Sequence, residues 1–180
     1  MVLDPATGAV RGRERWRARY QASVNAATPL VVGDQVFVSA SYETGAALWR
    51  VKPGGLEAVW KGEDRLSNHY NTSVYRDGHL YGSHGRQESG ASLRCIEWAT
   101  GKLCWEKTGF GCATITAADG RLLALSEHGE LVAFAARPEA YREQARAKVL
   151  DDPCRAAFAL AGGRVYARDG KKLVCLDLKK

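Results

Sequence analysis

Several features that would identify a membrane or secreted protein are missing from this 180-residue sequence. It has no window of eighteen uninterrupted apolar residues, so a membrane-spanning helix is excluded. The start, from Met1 to Pro5, lacks the basic region and apolar core of a signal peptide. The sequence as it stands therefore predicts neither a membrane span nor a targeting segment.

Metal-binding and catalytic motifs are also missing. The five cysteines are an odd number and form neither a CxxC motif nor an adjacent pair, and the four histidines form no pair at zinc-ligand spacing. No glycine-rich phosphate loop, GxSxG or HExxH motif is present. We therefore expect no metal and no catalytic residue, and we interpret the cysteines as small buried apolar side chains.

Charge gives only weak guidance on partners. The chain carries 26 basic and 20 acidic residues, a formal net charge of +6. This mild excess permits an anionic partner without requiring one. With hydrophobic residues at 46%, a folded globular domain is expected.

An internal repeat organises the chain. A turn followed by two apolar residues occurs four times: GDQVF at 33–37, DGHLY at 77–81, DGRLL at 119–123 and GGRVY at 162–166. The first apolar residues of these copies, Val36, Leu80, Leu122 and Val165, follow one another at intervals of 44, 42 and 43 residues. Spacing this regular indicates a structural repeat.

Each repeat contains segments for four short strands. A strand-like run opens about eight residues before each marker, at Thr28, Thr72, Thr114 and Ala157, and another follows it, as in ALWRV or ELVAFA. A fourth strand follows where tryptophan recurs, at Trp16, Trp60 and Trp105. Four strands in about 43 residues predict an all-β protein, a β-propeller of four-stranded antiparallel blades with about four blades in this chain.

The stretch RGRERWRARY, residues 11–20, places arginine at every odd position. We predict that it is the outermost strand of a blade, with the arginines from Arg11 to Arg19 on one face and Trp16 and Tyr20 on the other. Charge at a sheet edge discourages unwanted strand pairing. A nucleic-acid contact was weighed as the alternative, but no second basic and aromatic cluster supports it.

These repeats resemble the pyrroloquinoline-quinone-like (PQQ-like) propeller repeat, which commonly reads apolar-Leu-Asp, a linker, Thr-Gly and then Trp. Residues 96–105, IEWATGKLCW, follow that pattern, residues 2–8, VLDPATG, reproduce its first part, and residues 175–179, CLDLK, stop before the Thr-Gly. The resemblance implies a bacterial and often exported protein, in the periplasm or outside the cell. The chain is similar to the propeller lipoprotein of the outer-membrane barrel-assembly machinery.

The resemblance also bears on ring size. Alcohol-oxidising dehydrogenases of this family have eight blades, so the chain would be half of such a ring, namely the C-terminal half of a larger propeller, or a small closed ring. We expect residues 1–22 to complete the last blade, followed by blades at 23–62, 63–107 and 108–150 and a partial blade at 151–180. The partner would then be a second copy, forming a homodimer that completes the ring, or the missing half of the propeller.

Candidate binding residues precede the innermost strands, where propellers present loops at the channel mouth. They are Asn25, His69, Tyr70, Asn71 and Arg155. Asparagine in such places also satisfies turn backbone, which is the competing explanation. The recurring Trp16, Trp60 and Trp105 are interpreted as packing between blades.

The sequence thus favours a non-enzymatic binding or scaffold module without cofactor, which interacts with a protein or a ligand. The alternative is a fragment of a PQQ-dependent quinoprotein dehydrogenase, in which the resemblance would imply pyrroloquinoline quinone with calcium. Against it, the chain has no adjacent cysteines and no acidic residue in register at the channel mouth. No nucleic-acid partner is expected.

Overall fold

The computed structural model of the protein describes residues 1–18, 20–151 and 153–179. All regular structure within those ranges is antiparallel strand, apart from a short 3-10 helix at Gln87–Ser89. No helix among the described residues is long and apolar enough to cross a membrane.

The first two strands form a small sheet of their own. β1 (Val2–Leu3) pairs with β2 (Val10–Gly12) through a turn in which the Asp4 carboxylate accepts the backbone N–H groups of Ala6 and Thr7, both at 3.0 Å. Arg11 forms an ion pair with the same carboxylate. This N-terminal hairpin lies beside the outer strand of the sheet that follows.

Three four-stranded sheets follow in chain order, each with its strands hydrogen-bonded in sequence. The first contains β3 (Leu30–Val32), β4 (Gln35–Ala40), β5 (Gly45–Lys52) and β6 (Gly55–Gly62). The second contains β7 (Val74–Arg76), β8 (His79–His84), β9 (Ser92–Glu97) and β10 (Leu103–Lys107). The third contains β11 (Ala113–Ala118), β12 (Arg121–Ser126), β13 (Glu130–Ala135) and β14 (Glu143–Lys148).

The last sheet has three strands, β15 (Ala159–Ala161), β16 (Arg164–Arg168) and β17 (Leu173–Asp177). Each of these four larger sheets lies within one of the predicted blades. The marker residues all occupy second strands, namely Val36 in β4, Leu80 in β8, Leu122 in β12 and Val165 in β16. The structure confirms the propeller fold and the repeat on which it was predicted.

The core lies between sheets and not within any one of them. Phe37, Leu48 and Leu66 pack against Leu80 and Ile96 of the next blade. The second and third blades meet through a cluster centred on Tyr81, Trp105 and Phe134. A third cluster joins Leu123, Leu125 and Leu131 to Val165 and Ala167 of the last blade. Each blade therefore gains its stability mainly from its neighbours.

Alternation along the second strand explains how one sheet serves two interfaces. The first residue of each marker pair points back to the preceding blade, and the second points forward, because successive side chains of a strand face opposite sides. Leu80 accordingly joins the first cluster, and Tyr81 joins the second. We call these the backward and forward faces of a blade.

The tryptophans are only partly equivalent. Trp60 and Trp105 lie in outer strands, where their indole N–H groups each donate to a carbonyl of the next blade, that of Trp98 and that of Arg137, both at 2.8 Å. The indole nitrogen of Trp16 is buried and has no hydrogen-bond partner in the part of the chain that the structure describes. Trp16 therefore does not repeat the geometry of the other two.

The predicted outer strand at 11–20 is wrong in extent. β2 ends at Gly12, and residues 13–18 run without regular structure. A strand there would need a third strand of matching length, but β1 provides only two residues. The side chains of Arg11, Arg13, Arg15 and Arg17 are exposed, as expected, and Arg19 lies outside the described residues.

Two further expectations concern the chain ends and the cysteines. The expected pairing of the N-terminal strand with the last blade is not formed within this chain, where β17 pairs only with β16 among the described strands. Cys95, Cys112 and Cys154 are buried and Cys104 is partly buried, whereas Cys175 is exposed, contrary to the expectation that the cysteines are buried apolar side chains.

Truncation at a blade interface tests this packing. Leu122 is fully buried between the second and third blades, so L122A should lower the free energy of unfolding by about 2–5 kcal/mol through lost contacts and a cavity. The matched control is L103A, because Leu103 is 43% exposed, and it should cost much less. Urea unfolding followed by tryptophan fluorescence measures both, and equal losses would contradict this account of the core.

Candidate functional site

A groove opens where loops of the first two blades meet the N-terminal segment. The cavity has a volume of about 660 Å³. Its lining includes Tyr20, Tyr42, Glu43, Glu63, His84 and Arg86. A second cavity of about 580 Å³ shares Tyr20, Tyr42, Glu43 and Glu63 and extends along residues 15–18. Together they form one continuous surface, which we call the loop groove.

The side chain of Tyr42 connects the loop groove to the predicted channel mouth. Its hydroxyl lies 2.9 Å from His69 Nε2, and His69 Nδ1 lies 2.8 Å from Gln87 Oε1. The amide oxygen of Gln87 can only accept, so His69 carries its proton on Nδ1 and accepts from the tyrosine hydroxyl at Nε2. The Arg86 guanidinium lies over the Tyr42 ring, 4.6 Å from its centroid.

The loop that carries Tyr42 has an unusual backbone. Tyr42 and Glu43 have φ values of 60° and 59°, in the left-handed region that non-glycine residues seldom adopt. This conformation costs about 1 kcal/mol or more per residue and persists only where surrounding contacts hold it. The contacts here are those of Tyr42 with His69 and Arg86 and the hydrogen bond of 2.6 Å from the Tyr20 hydroxyl to Glu43.

A buried polar network fixes the segment that carries His69. The Asn68 side chain donates to the Ser83 carbonyl at 2.8 Å and accepts from the Ser73 hydroxyl at 2.9 Å. The backbone N–H of Asn68 donates to the Ser39 hydroxyl at 2.7 Å. A side chain at Gly82 would place its Cβ 2.2 Å from the Ser73 oxygen, so this position requires glycine. The network connects the first two blades and positions His69 rigidly.

A charged cluster lies at the other end of the groove. The side chain of Arg94 is 9% exposed and pairs with Glu106 at 2.9 Å and with Asp64 at 3.2 Å. A hydrogen bond from the Ser92 hydroxyl and then the charge of Arg94 lower the pKa of Glu106. The backbone N–H of Ser67 donates to His84 Nδ1 at 3.1 Å. Burial, followed by the charge of Arg94, lowers the pKa of His84 below 6.5.

Three of the five predicted site residues are consecutive and lie at one place. His69 and Asn71 are buried, Tyr70 is partly buried, and the rings of His69 and Tyr70 meet edge to face. Among the described residues, Asn71 Oδ1 has no hydrogen-bond partner, and the Tyr70 hydroxyl has the poorly accepting Cys112 thiol beside it. Burial is the largest cause that raises the pKa of Tyr70, and the charges of Cys112 and Glu127 raise it further.

The other two predicted residues lie apart from this group. Arg155 is exposed, yet its charge reaches both Tyr70 and Cys112. Burial raises the pKa of the Cys112 thiol to about 12, which disfavours the nucleophilic thiolate form. Asn25 is exposed and donates to the backbone carbonyl of Trp16. Asn25 thus bonds to backbone, which is the competing explanation given above for asparagine at these positions.

Sequence reasoning missed Tyr42, His84 and Arg86 of the loop groove and Gln87 beneath it. His84 is the last residue of β8, and the other three lie in connections between strands. The repeat imposes no pattern at these places, so the alignment of repeats could not select them. The one available signal was the segment SYETG at 41–45. It places tyrosine and glutamate, and not glycine or asparagine, at the two positions that have positive φ in the structure.

The donors in this region do not form a metal site. Among the described residues, no three His, Cys, Asp or Glu side chains are grouped so that they could hold an ion. Glu127, whose charge acts on Tyr70, accepts the backbone N–H of Cys112 at 2.8 Å. The arrangement is suited to hydrogen bonding and stacking.

Lowering the pH should test the burial of His84. A histidine whose pKa is lowered by folding binds its proton more readily when the protein is unfolded. Its contribution to the free energy of unfolding is therefore present above pH 6.5 and is lost as the pH falls below that value. In H84N the amide oxygen can replace Nδ1 as acceptor for Ser67. Between pH 8 and 5.5, wild-type protein should therefore lose more unfolding free energy than H84N, as measured by urea titration.

The matched control for this experiment is H79N, at the first residue of β8, where the imidazole Nδ1 lies 2.9 Å from the Asp77 carbonyl oxygen. Its pH profile should parallel that of wild type. Parallel profiles for H84N and wild type would contradict the stated environment of His84.

Comparison with known proteins agrees with the propeller fold seen in the structure. The family model described as outer membrane protein assembly factor BamB matches residues 39–180. The crystal structure of BamB from Moraxella catarrhalis superposes with a TM-score of 0.69 and 17% identity, over 96% of this chain and 49% of that one. This chain therefore spans about half the length of that relative. A search of curated proteins gave no match.

Two other solved structures are informative about size and chemistry. The computationally designed Ika4 protein matches with a TM-score of 0.64 and 9% identity, over 93% of this chain and 99% of that one. A europium-containing methanol dehydrogenase matches with a TM-score of 0.50 and 15% identity, over 73% of this chain and 28% of that one. At these identities the matches show a shared fold and nothing further.

Proposed function

Because the chain belongs to the family of the outer membrane protein assembly factor BamB, we propose that it is a non-enzymatic binding and scaffold module. In this proposal it takes part in protein assembly at the bacterial outer membrane, in the periplasm or at the cell surface. Its partners are another protein, bound at the loop groove, and either a second copy of the same chain or the missing half of the propeller.

The observation that carries this proposal is the rigid loop groove. Tyr42 and Arg86 present a stacked aromatic and a guanidinium at its surface, which are the residue types that dominate protein interfaces. His69 and Gln87 hold Tyr42 from beneath. A preformed surface reduces the conformational entropy lost on binding. The exposed carboxylates of Glu43 and Glu63 at the rim favour a partner segment with basic residues.

Site-specific photocrosslinking tests the groove. A benzoylphenylalanine at Glu43 should crosslink to a component of the outer-membrane assembly machinery in isolated bacterial outer membranes, because this position borders the groove. The matched control is the same probe at Gln144, an exposed residue of β14 far from the groove. Adding Y42F should reduce the Glu43 crosslink, since the loop loses its bond to His69. Equal crosslinking from both positions would refute the proposed surface.

A second candidate, a PQQ-dependent dehydrogenase, is favoured only by the match to methanol dehydrogenase. Such an enzyme would need carboxylate ligands for calcium at the channel. The residues present do not fit, since no group of three His, Cys, Asp or Glu side chains that could hold an ion exists among the described residues.

Titration with pyrroloquinoline quinone and calcium separates the two candidates. We expect no saturable change in quinone absorbance and no dye-linked oxidation of methanol or ethanol, because the ligand set is missing. Saturable binding together with alcohol oxidation would replace the scaffold proposal. The parallel titration with bovine serum albumin corrects for non-specific quinone adsorption.

A further inference from the structure

Two of the five cysteines lie on neighbouring strands of the second blade. Cys95 is in β9 and Cys104 is in β10, and these strands form an antiparallel hairpin, which we call the outer hairpin. Leu103 is aligned with Ile96 and Trp105 with Cys95, so the register shifts by one residue and Cys104 is the extra residue of a β-bulge. In a bulge, two residues of one strand lie opposite one residue of the other. Cys104 and Trp105 therefore both lie opposite Cys95.

Both thiols are on the same side of the sheet. Cys95 is fully buried in the cluster between the second and third blades, and Cys104 is partly buried and packs against that cluster. Burial raises the pKa of the Cys104 thiol, and a hydrogen bond with the Cys95 thiol opposes that rise. The two thiols are therefore close enough to interact directly.

The strand geometry at this pair is suitable for a covalent link. Opposing residues of antiparallel strands have Cα atoms about 4.5–5.5 Å apart, within the range of about 4.4–6.8 Å that disulfides need. A disulfide also needs side chains that point to the same side of the sheet. Cys95 and Cys104 lie opposite each other across the bulge and contact one apolar cluster, so they meet both requirements.

We propose that Cys95 and Cys104 form a disulfide bond in an oxidising environment, which makes the outer hairpin a site of thiol modification. Disulfides persist outside the cytoplasm, so the periplasmic or cell-surface location proposed above would maintain this bond. Eight residues separate the two cysteines in the sequence and they form no recognised motif, so only the bulge reveals the pair. The inference goes beyond the proposed function and does not depend on the loop groove.

The oxidant in this reaction is another disulfide, that of glutathione disulfide or of a disulfide-exchange protein. Cys104 is the more accessible thiol, so it loses its proton and attacks one sulfur of the oxidant. The S–S bond of the oxidant breaks, and its other sulfur leaves as a thiolate that takes up a proton. Cys95 then loses its proton and attacks the Cys104 sulfur, which expels the remaining oxidant sulfur in the same way. The two protein thiols lose two electrons, and the oxidant is reduced to two thiols.

The surroundings of Cys95 favour a lasting bond over a readily reversible one. Burial raises the pKa of the Cys95 thiol, although a hydrogen bond with Tyr81, its neighbour on β8, opposes that rise. A reductant that attacks the accessible Cys104 sulfur would have to expel Cys95 as a thiolate. A thiol of high pKa is a poor leaving group, so reduction is slow.

The outer hairpin contacts the blades on both sides, so a link across it bears on more than one sheet. In its turn, the carbonyl of Trp98 accepts the indole N–H of Trp60 from the first blade at 2.8 Å. In its second strand, Trp105 donates to the carbonyl of Arg137 in the third blade at 2.8 Å. A disulfide restricts the unfolded chain, so closing this hairpin should stabilise the two interfaces together.

Peptide mapping after oxidation tests the pair. Purified protein is incubated with glutathione disulfide, the remaining thiols are blocked with N-ethylmaleimide in urea, and trypsin is added. Cleavage after Arg94, Lys102 and Lys107 releases CIEWATGK and LCWEK, each with one cysteine. Mass spectrometry should find these two peptides joined and lacking their two thiol hydrogens. Recovery of both peptides apart, while the exposed Cys175 carries glutathione, would overturn the proposal.

A redox buffer shows whether the fold itself favours the bond. At a fixed ratio of reduced to oxidised glutathione, the ratio of linked to reduced protein should be about tenfold or more higher for folded protein than for protein in urea. The matched control C175S removes an exposed thiol away from the outer hairpin and should give the same ratio as wild type. An equal or lower ratio for folded protein would show that the native geometry opposes the link, and would overturn the proposal.

Urea unfolding separates the bond from the packing of the cysteines. Oxidised wild-type protein should unfold at a higher urea concentration than reduced protein. C104S changes a partly buried side chain by one atom, and it should unfold at the same urea concentration with and without the oxidant. Equal or lower stability of the linked wild-type protein would overturn the proposal. Either result leaves the Glu43 crosslinking test of the loop groove unaffected.

Discussion

The structure depends on the burial of one sheet face against the next. None of the blades has a core of its own, and the three apolar clusters all join residues of adjacent blades. Burial of this kind contributes about 25 cal/mol per Å² of apolar surface, and it is available to a blade only when a neighbour is present. Within the described residues no blade covers Val31 or Tyr166, and both are exposed although they occupy positions of the repeat that are apolar.

Because the core is built mainly from strands of adjacent blades, the connecting loops contribute little to it. Because the strands are held by their neighbours, the loop at Tyr42 and Glu43 can adopt a strained backbone and still be well fixed. The polar network around Asn68 connects the first blade to the second through hydrogen bonds to Ser39 and Ser83. A scaffold that stores such local strain away from its core can present a preformed surface without loss of overall stability.

Sequence reasoning succeeded where the side-chain pattern follows the period of the strands. Val36, Leu80, Leu122 and Val165 were found by their spacing, and the structure places them all in second strands. It failed at residues 11–20, where alternating arginines suggested a strand and β2 stops at Gly12. Alternation indicates which faces a strand would have, but pairing decides whether the strand exists, and β1 is too short to support one.

The sequence by itself determined the propeller, the order of its blades and the position of each second strand, because those follow from local periodicity and turns. Only the tertiary structure decided that Tyr42, His69, Gln87 and Arg86 meet, since they are separated along the chain and share no pattern. It also decided that the N-terminal hairpin and the last blade remain separate sheets. Pairing between distant strands depends on the curvature of the whole assembly, which no local segment of sequence encodes.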